Sequence, residues 1–247
     1  MKVLSILLIT LFSVSIFSYA QEDFKKLKST GGCEDCNLTN ITLFNASFIG
    51  ANLKNSNLSG SDLSKSSFIG ANLSGTNLKD AILIGAFLST TNLKNSNLSG
   101  ANLIGTSFNN ADLTNADLTN ADLTNAKLTG ANLSNANLTG ANLRVANLRN
   151  VIAVNTNFSQ AFLIGTIFIG ANLRRVDLSG ADLSKSILID ANLSGSNLFQ
   201  ANLTEANLQN TILNEVKYCN TLMPYGLEVG GCWIAELKGS NFLKDLL

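Results

Sequence analysis

The sequence predicts an all-β solenoid, in which the chain winds into a coil with four short sides per turn and a cap closes each end. The main observation is that Leu or Phe recurs every five residues from Leu38 to Leu213, with Ala153 the single exception among 36 positions. In an α-helix this spacing moves each side chain about 140° around the axis, and in a strand it alternates faces. Only a coil that bends once every five residues buries the whole series.

The composition of each five-residue unit supports this prediction. A small residue lies two positions before the central Leu or Phe, as at Ala71, and Asn or Asp usually lies directly before it, as at Asn72. Gly or Asn ends many units, as in Ser59-Gly60, and both tolerate the positive φ of tight turns. We expect small and large residues to point inward and polar residues to face water or bond the turns. At Ala153 we expect local repacking or a bulge.

Longer repeated segments predict the number of sides. LKNSNLSG starts at Leu53 and again at Leu93, 40 residues later, and FIGANL starts at Phe68 and at Phe168, 100 residues later. Both offsets are multiples of 20, so four units return the chain to the same side. The 36 units then form about nine coils. Stacked ~4.8 Å apart, these coils make a rod roughly 40 Å long, and each buried Leu or Phe contributes roughly 1.5–3 kcal/mol.

The repeated A-(N/D)-L-x-x unit, as in ANLSG at 71–75 and ADLTN through 111–125, resembles the pentapeptide-repeat family over residues 36–215. This resemblance implies a right-handed, four-sided (quadrilateral) β-helix. The flanking segments GGCEDCNLTN (31–40) and YCNTLMPYGLEVGGC (218–232) resemble flanks of some members, with a CxxC before the first repeat and CNTxMP…C after the last. Tyr225 stands where an Asp is usual, so no role of that acid carries over.

Four segments are expected. Residues 1–20 resemble a cleavable signal peptide, since an apolar run at 3–17 precedes the small-x-small signal Ser18-Tyr19-Ala20. Residues 21–35 form an N-terminal cap with a short helix, 36–215 the solenoid, and 216–247 a C-terminal cap that closes with a helix over 240–247. The mature protein is therefore expected in the periplasm or outside the cell, with no membrane span after signal cleavage.

Charge argues against nucleic acid as a partner. The chain has 17 basic and 17 acidic residues and no His, and loss of residues 1–20 removes one Lys. A nearly neutral surface creates no strong field for nucleic acid or anionic lipid. DNA mimicry, which the family resemblance also raises, requires dense negative charge and cytosolic access, so it is the least favoured interpretation.

The four cysteines lie only in the expected caps: Cys33, Cys36, Cys219 and Cys232. An exported chain meets an oxidising compartment, which favours disulfides. The two ends lie roughly 40 Å apart, whereas a disulfide needs Cα atoms within ~7 Å. The expected pairs are therefore Cys33–Cys36 and Cys219–Cys232, and the same distance excludes a four-thiol zinc site. The alternative is that Cys33 and Cys36 form a redox-active CxxC, although two acids lie between them.

Catalysis is not expected. The chain has no His to act as a general base, and no Gly-rich phosphate loop is recognisable. Asp112, Asp117 and Asp122 are five residues apart, so they lie on successive sides and do not form an acid pair. No catalytic residue, metal or cofactor is expected.

Large apolar residues recur at outward positions on two adjacent sides of the coil. Such a surface usually marks a contact site for a protein partner or for another copy of the chain. The alternative is that β-branched residues stack along the ladder and stabilise the strands. The expected interaction residues are Phe44, Ile84, Ile104 and Ile164 on one side and Ile49, Ile69, Ile169 and Ile189 on the next.

These observations together predict a secreted, non-enzymatic scaffold or protein-interaction module. The alternative is a thiol redox or assembly factor that uses Cys33 and Cys36.

Overall fold

The structure is a computed structural model that describes residues 21–225 and 228–234. Within these residues one helix, α1, covers 21–30, and two strands follow near the end of the chain, β1 at Lys217–Leu222 and β2 at Glu228–Ile234. The expected signal peptide at 1–20 and the expected helix at 240–247 lie outside the described residues. No helix in the described part of the chain is long and apolar enough to cross a membrane.

Between α1 and β1 each five-residue unit supplies one bridging residue followed by two turn residues. The bridges are parallel and join residues twenty apart, from Asn37↔Asn57 to Asn202↔Leu222. Backbone hydrogen bonds support them, as where the Asn57 N–H donates to the Cys36 carbonyl at 2.8 Å. Four units thus separate stacked positions, which matches the spacing of the repeated segments.

We name the sides and coils by residue number. Side 1 contains 41–45 and the residues twenty, forty and so on beyond them, and sides 2, 3 and 4 begin likewise with 46–50, 51–55 and 56–60. Coil 1 is 41–60, coil 2 is 61–80, and the numbering continues in twenties.

Most corners are closed by the same backbone hydrogen bond. At the corner after Phe68 the Ala71 N–H donates to the Phe68 carbonyl at 2.9 Å, and Gly70 between them has φ +66°. The residue at this position has positive φ at every corner between residues 35 and 220, as type II β-turns require. Asn and Gly hold most of these positions, but Val145 also adopts φ +52° there, which is unusual for a β-branched residue.

Two side chains of each unit point into the coil. Central residues such as Phe68 and small residues such as Ala71 are buried. Where Thr replaces the small Ala, its hydroxyl donates to a carbonyl of the preceding coil, as from Thr76 to Leu53 at 3.0 Å and from Thr91 to Phe68 at 2.7 Å. These hydroxyls are therefore satisfied inside an apolar interior.

The interruption at Ala153 changes packing and leaves the register intact. Ile152 forms bridges to Asn132 in the preceding coil and to Asn172 in the next coil, so no bulge forms. Ala153 is fully buried, and the next inward ring, Phe158, packs edge-on against Phe168 with centroids 6.2 Å apart. Repacking is therefore the correct alternative at this position.

Helix α1 lies against the N-terminal end of the stack. Leu27 is buried in the core, and the Asp23 carboxylate accepts the Asn37 N–H at 2.8 Å. The helix ends at Gly31, whose φ of +70° and N–H bond to the Leu27 carbonyl form a left-handed C-terminal cap.

The C-terminal end has a different geometry. Strand β1 pairs with β2 in antiparallel fashion, with an irregularity between Cys219 and Thr221. Its first residue, Lys217, also bridges Asn197 in the solenoid. The hairpin is thus continuous with the last coil.

Candidate functional site

The first candidate site is the cysteine pair beside α1. Cys33 occupies the inward position that Leu holds in later units, and Cys36 occupies the position of the small Ala. The two are joined by a disulfide with Cα atoms 5.6 Å apart, and they are 1% and 3% exposed. Ser56 bonds both halves of this corner, since its hydroxyl donates to the Cys33 carbonyl and accepts the Cys36 N–H at 3.1 Å. The disulfide therefore closes the first corner of the stack.

Asp23 is a neighbour that the sequence did not reveal. Its carboxyl and the two sulfurs of Cys33 and Cys36 lie within 4.8 Å of one another, a grouping of metal-ligand atoms. Both sulfurs belong to the disulfide, so neither is a thiolate ligand. The carboxylate instead holds the first repeat through its bond from Asn37.

The second cysteine pair staples the hairpin. Cys219 and Cys232 lie directly opposite each other in β1 and β2, with Cα atoms 4.2 Å apart. Within the described residues no cysteine is free. Beside them Tyr218 points inward, and burial raises the pKa of its phenol well above the usual range. This tyrosine is part of the core.

The acidic residues Asp62 and Asp112 form hydrogen bonds within the turns that follow them. Bonds from Ser64 lower the pKa of Asp62, because its Oδ1 accepts both the hydroxyl at 2.6 Å and the N–H at 3.0 Å. Burial raises the pKa of Asp112, but bonds from Thr114 and Lys94 outweigh this and the net pKa is lowered. Each carboxylate accepts the N–H two residues on, the contact of an Asx turn. These contacts stabilise the ionised form of the Asp62 and Asp112 carboxylates, whereas a general acid must keep its proton.

The apolar residues on sides 1 and 2 form another candidate site. Of the eight expected interaction residues, Phe44, Ile49, Ile69 and Ile84 are exposed, and Ile104, Ile164, Ile169 and Ile189 are half-buried.

The structure divides this surface into two clusters. The N-terminal cluster lies on coils 1–4 and comprises Phe44, Ile49, Ile69, Ile82, Ile84, Phe87 and Ile104. The C-terminal cluster lies on coils 7 and 8 and comprises Phe162, Ile164, Ile167, Ile169, Ile187 and Ile189. Coils 5 and 6 between them present Asp122, Lys127, Arg144 and Arg149 on the same sides, with Val145 at one corner.

Cations lie over the aromatic rings of both clusters. The Lys65 Nζ lies 5.5 Å from the centroid of Phe44, and the Arg144 guanidinium carbon lies 4.5 Å from that of Phe162. Such contacts are attractive. Sides 3 and 4 have fewer exposed apolar residues, namely Ile152, Phe199 and Ile212.

A further cavity lies near the C-terminal hairpin. It has a volume of about 480 Å³ and is lined by residues 206–210, Pro224 and the exposed Tyr225. The only sequence signal for it is the break in the repeat after residue 215.

The comparisons with known proteins identify the family. The pentapeptide-repeat model matches residues 36–75, 71–110, 106–144, 146–180 and 177–214. The chain therefore belongs to the pentapeptide-repeat family, whose members form right-handed β-helices. No match was found among the curated proteins.

Solved structures of the family resemble the chain. HetL, a protein involved in heterocyst differentiation regulation from the cyanobacterium Nostoc sp. strain PCC 7120, is 31% identical, with 83% of this chain and 97% of HetL covered and a TM-score of 0.36. Full-length QnrB1, a plasmid-mediated fluoroquinolone resistance protein, is 22% identical, with 71% of this chain and 92% of QnrB1 covered and a TM-score of 0.52. The likeness to QnrB1 concerns the fold.

Proposed function

We propose that the protein is an exported, non-enzymatic scaffold that binds through its sides. In this proposal residues 1–20 are removed as a signal peptide, and 36–215 form a right-handed, four-sided β-helix of about nine coils. Residues 21–35 and 216–247 cap its two ends. The observation that carries the proposal is the unbroken ladder of twenty-residue bridges around a filled apolar interior, because it leaves only outward surfaces for function.

The chemistry of the described residues supports a non-enzymatic role. The described acids with lowered pKa values, Asp62 and Asp112, are bonded to their own turns. Their pKa shifts favour the ionised state, whereas a general acid at neutral pH needs a raised pKa. The protein has no His in its sequence.

The cysteines support export. Two disulfides at the ends of the stack fit an oxidising compartment. The same inference follows from the apolar run at 3–17 and its cleavage signal. The proposed location is therefore the periplasm or the outside of the cell.

The thiol redox alternative is the second candidate. Exchange begins with attack of a thiolate on a disulfide sulfur, which requires access. Cys33 and Cys36 are almost fully buried between α1 and the first coils, so access requires displacement of the helix. Burial therefore favours a structural role for this pair.

DNA mimicry has less support. Equal numbers of acidic and basic residues contradict a dense negative surface. The fluoroquinolone resistance of QnrB1 is a property of that protein, and its likeness to this chain is one of fold.

Cell fractionation combined with thiol counting tests the proposal. The native protein should appear in the envelope or medium with its N-terminus near Gln21, and denaturation without reductant should expose no thiol. A cytosolic, full-length protein would contradict export. Rapid reduction of the Cys33–Cys36 bond in native protein by a thiol at neutral pH would favour the redox alternative, with Cys219–Cys232 as the internal reference.

A further inference from the structure

Side 2 carries its apolar residues in a symmetric pattern along the rod. At the N-terminal end coils 1–3 present Ile49, Ile69 and Phe87, and at the C-terminal end coils 7 and 8 present Ile167, Ile169, Ile187 and Ile189. The outward positions of coils 4–6 between them are polar or basic. The pattern is therefore nearly unchanged when the rod is turned end over end.

This side is a continuous surface. Parallel bridges join Ser67 to Phe87 and Ile167 to Ile187 along it. Ile49 is 65% exposed, Ile69 38% and Phe87 49%. Contiguous exposed apolar surface of this kind often marks an interaction site.

We propose that side 2 binds side 2 of a second copy in antiparallel orientation, with the two-fold axis between coils 4 and 5. The inference rests on the proposed scaffold function and identifies one partner of that surface. Coil 1 of one copy then faces coil 8 of the other, coil 2 faces coil 7, coil 3 faces coil 6, and coil 4 faces coil 5. Ile49 meets Ile189 and Ile69 meets Ile169, each in the same column, as the isologous contact of a two-fold dimer requires.

Charge selects this orientation. The outward basic residues of side 2 are Lys127 on coil 5 and Arg149 on coil 6, and its outward acid is Asp190 at a corner of coil 8. A parallel, in-register pair would bring both Lys127 side chains to one level and both Arg149 side chains to the next, and like charges in contact are costly. The antiparallel pair places Lys127 opposite Ser107, and Arg149 beside Phe87, where a cation–π contact is favourable.

The contact area indicates a reversible dimer. Coils 1–8 span roughly 38 Å at ~4.8 Å per coil, and three extended residues make the side about 10 Å wide at ~3.3 Å per residue. Each copy thus offers roughly 400 Å², or about 800 Å² for the pair, before the corner side chains are added, and this area is below that of stable specific interfaces and typical of weak, transient ones. We therefore expect a weak, reversible dimer whose population rises with protein concentration.

Sedimentation velocity of the mature protein from about 5 to 200 µM tests the inference. Ile69→Lys and Ile169→Glu should each weaken the dimer at least tenfold. The double variant should recover most of the association, because the introduced lysine and glutamate face each other across the axis. The matched control is Ile152→Lys on side 3, where Ile152 is 45% exposed, and it should associate like wild type. Thermal melts verify folding, and Ile49→Lys replaces Ile69→Lys if that variant melts early.

Cysteine cross-linking tests the orientation, because the native cysteines are already paired. Ile69→Cys with Ile169→Cys in one chain should oxidise to a covalent dimer, and Ile69→Cys alone should not. A wild type that stays monomeric at 200 µM, equal loss in Ile152→Lys, or a covalent dimer of Ile69→Cys alone would each overturn the proposal. None of these results affects the fractionation and thiol tests, so the scaffold function fails or stands separately.

Discussion

Substitution of Gly140 by Ala tests how successive corners fit together. Gly140 has φ +67°, and a Cβ built there lies 2.4 Å from the Asn120 Oδ1 of the preceding coil. Gly105 has nearly the same φ, +66°, and a Cβ built there meets nothing within 4 Å. Gly140→Ala thus combines left-handed strain with a forced movement of Asn120, whereas Gly105→Ala has the strain alone.

The expected magnitudes follow from these two terms. Left-handed φ costs a residue with a Cβ about 1–2 kcal/mol, and forcing a side chain off its rotamer adds ~0.5–1.5 kcal/mol. At this chain length 1 kcal/mol shifts the Tm by roughly 2–4 °C. Thermal unfolding of the oxidised protein should therefore show Gly140→Ala melting about 1–6 °C below Gly105→Ala.

A double-mutant cycle isolates the contact. Asn120→Gly removes the side chain that occupies the space above Gly140, so in that background Gly140→Ala should cost no more than Gly105→Ala does in wild type. Equal melting of the two single variants, or an undiminished cost in the Asn120→Gly background, would refute the stacking explanation.

Three further outcomes are expected. Thr91→Val should lower the free energy of unfolding in urea by about 0.5–1.5 kcal/mol, because valine keeps the shape of threonine but loses the bond to the Phe68 carbonyl; an unchanged free energy of unfolding would contradict this. Ala153→Leu should overfill the interior and destabilise by ~1–3 kcal/mol, and an unchanged urea midpoint would show spare volume. The Ser64 bonds lower the pKa of Asp62. The stabilisation that they give the folded protein is therefore present above the ordinary pKa of ~3.9 and is lost as pH falls through the lower folded value. Asp62→Asn should flatten that part of the Tm–pH curve, and a curve unchanged from wild type would contradict this role of Asp62.

The sequence predicted the features that depend on the repeat. A period of five is incompatible with one buried face of a helix or a strand, so inward Leu73 and Ala71 followed from spacing alone. The twenty-residue offset of repeated segments predicted which residues stack. The cysteine pairs were predicted from distance along the same rod.

Other features were hidden because they depend on contacts between coils. Nothing adjacent to Ser56 in sequence indicates that it bonds both Cys33 and Cys36, and nothing near Asp23 indicates its bond to Asn37. Only the bridges that join Ile152 to the preceding and the following coil exclude a bulge at Ala153.

By itself, then, the sequence determined the kind of coil and the side of the backbone on which each residue lies, because periodicity is a property of one chain segment. The tertiary structure decided which outward residues form continuous clusters and which corner side chains contact each other between coils. The physical reason is that a side chain twenty residues away, only one strand spacing distant, sets the space and the hydrogen-bond partners at each position.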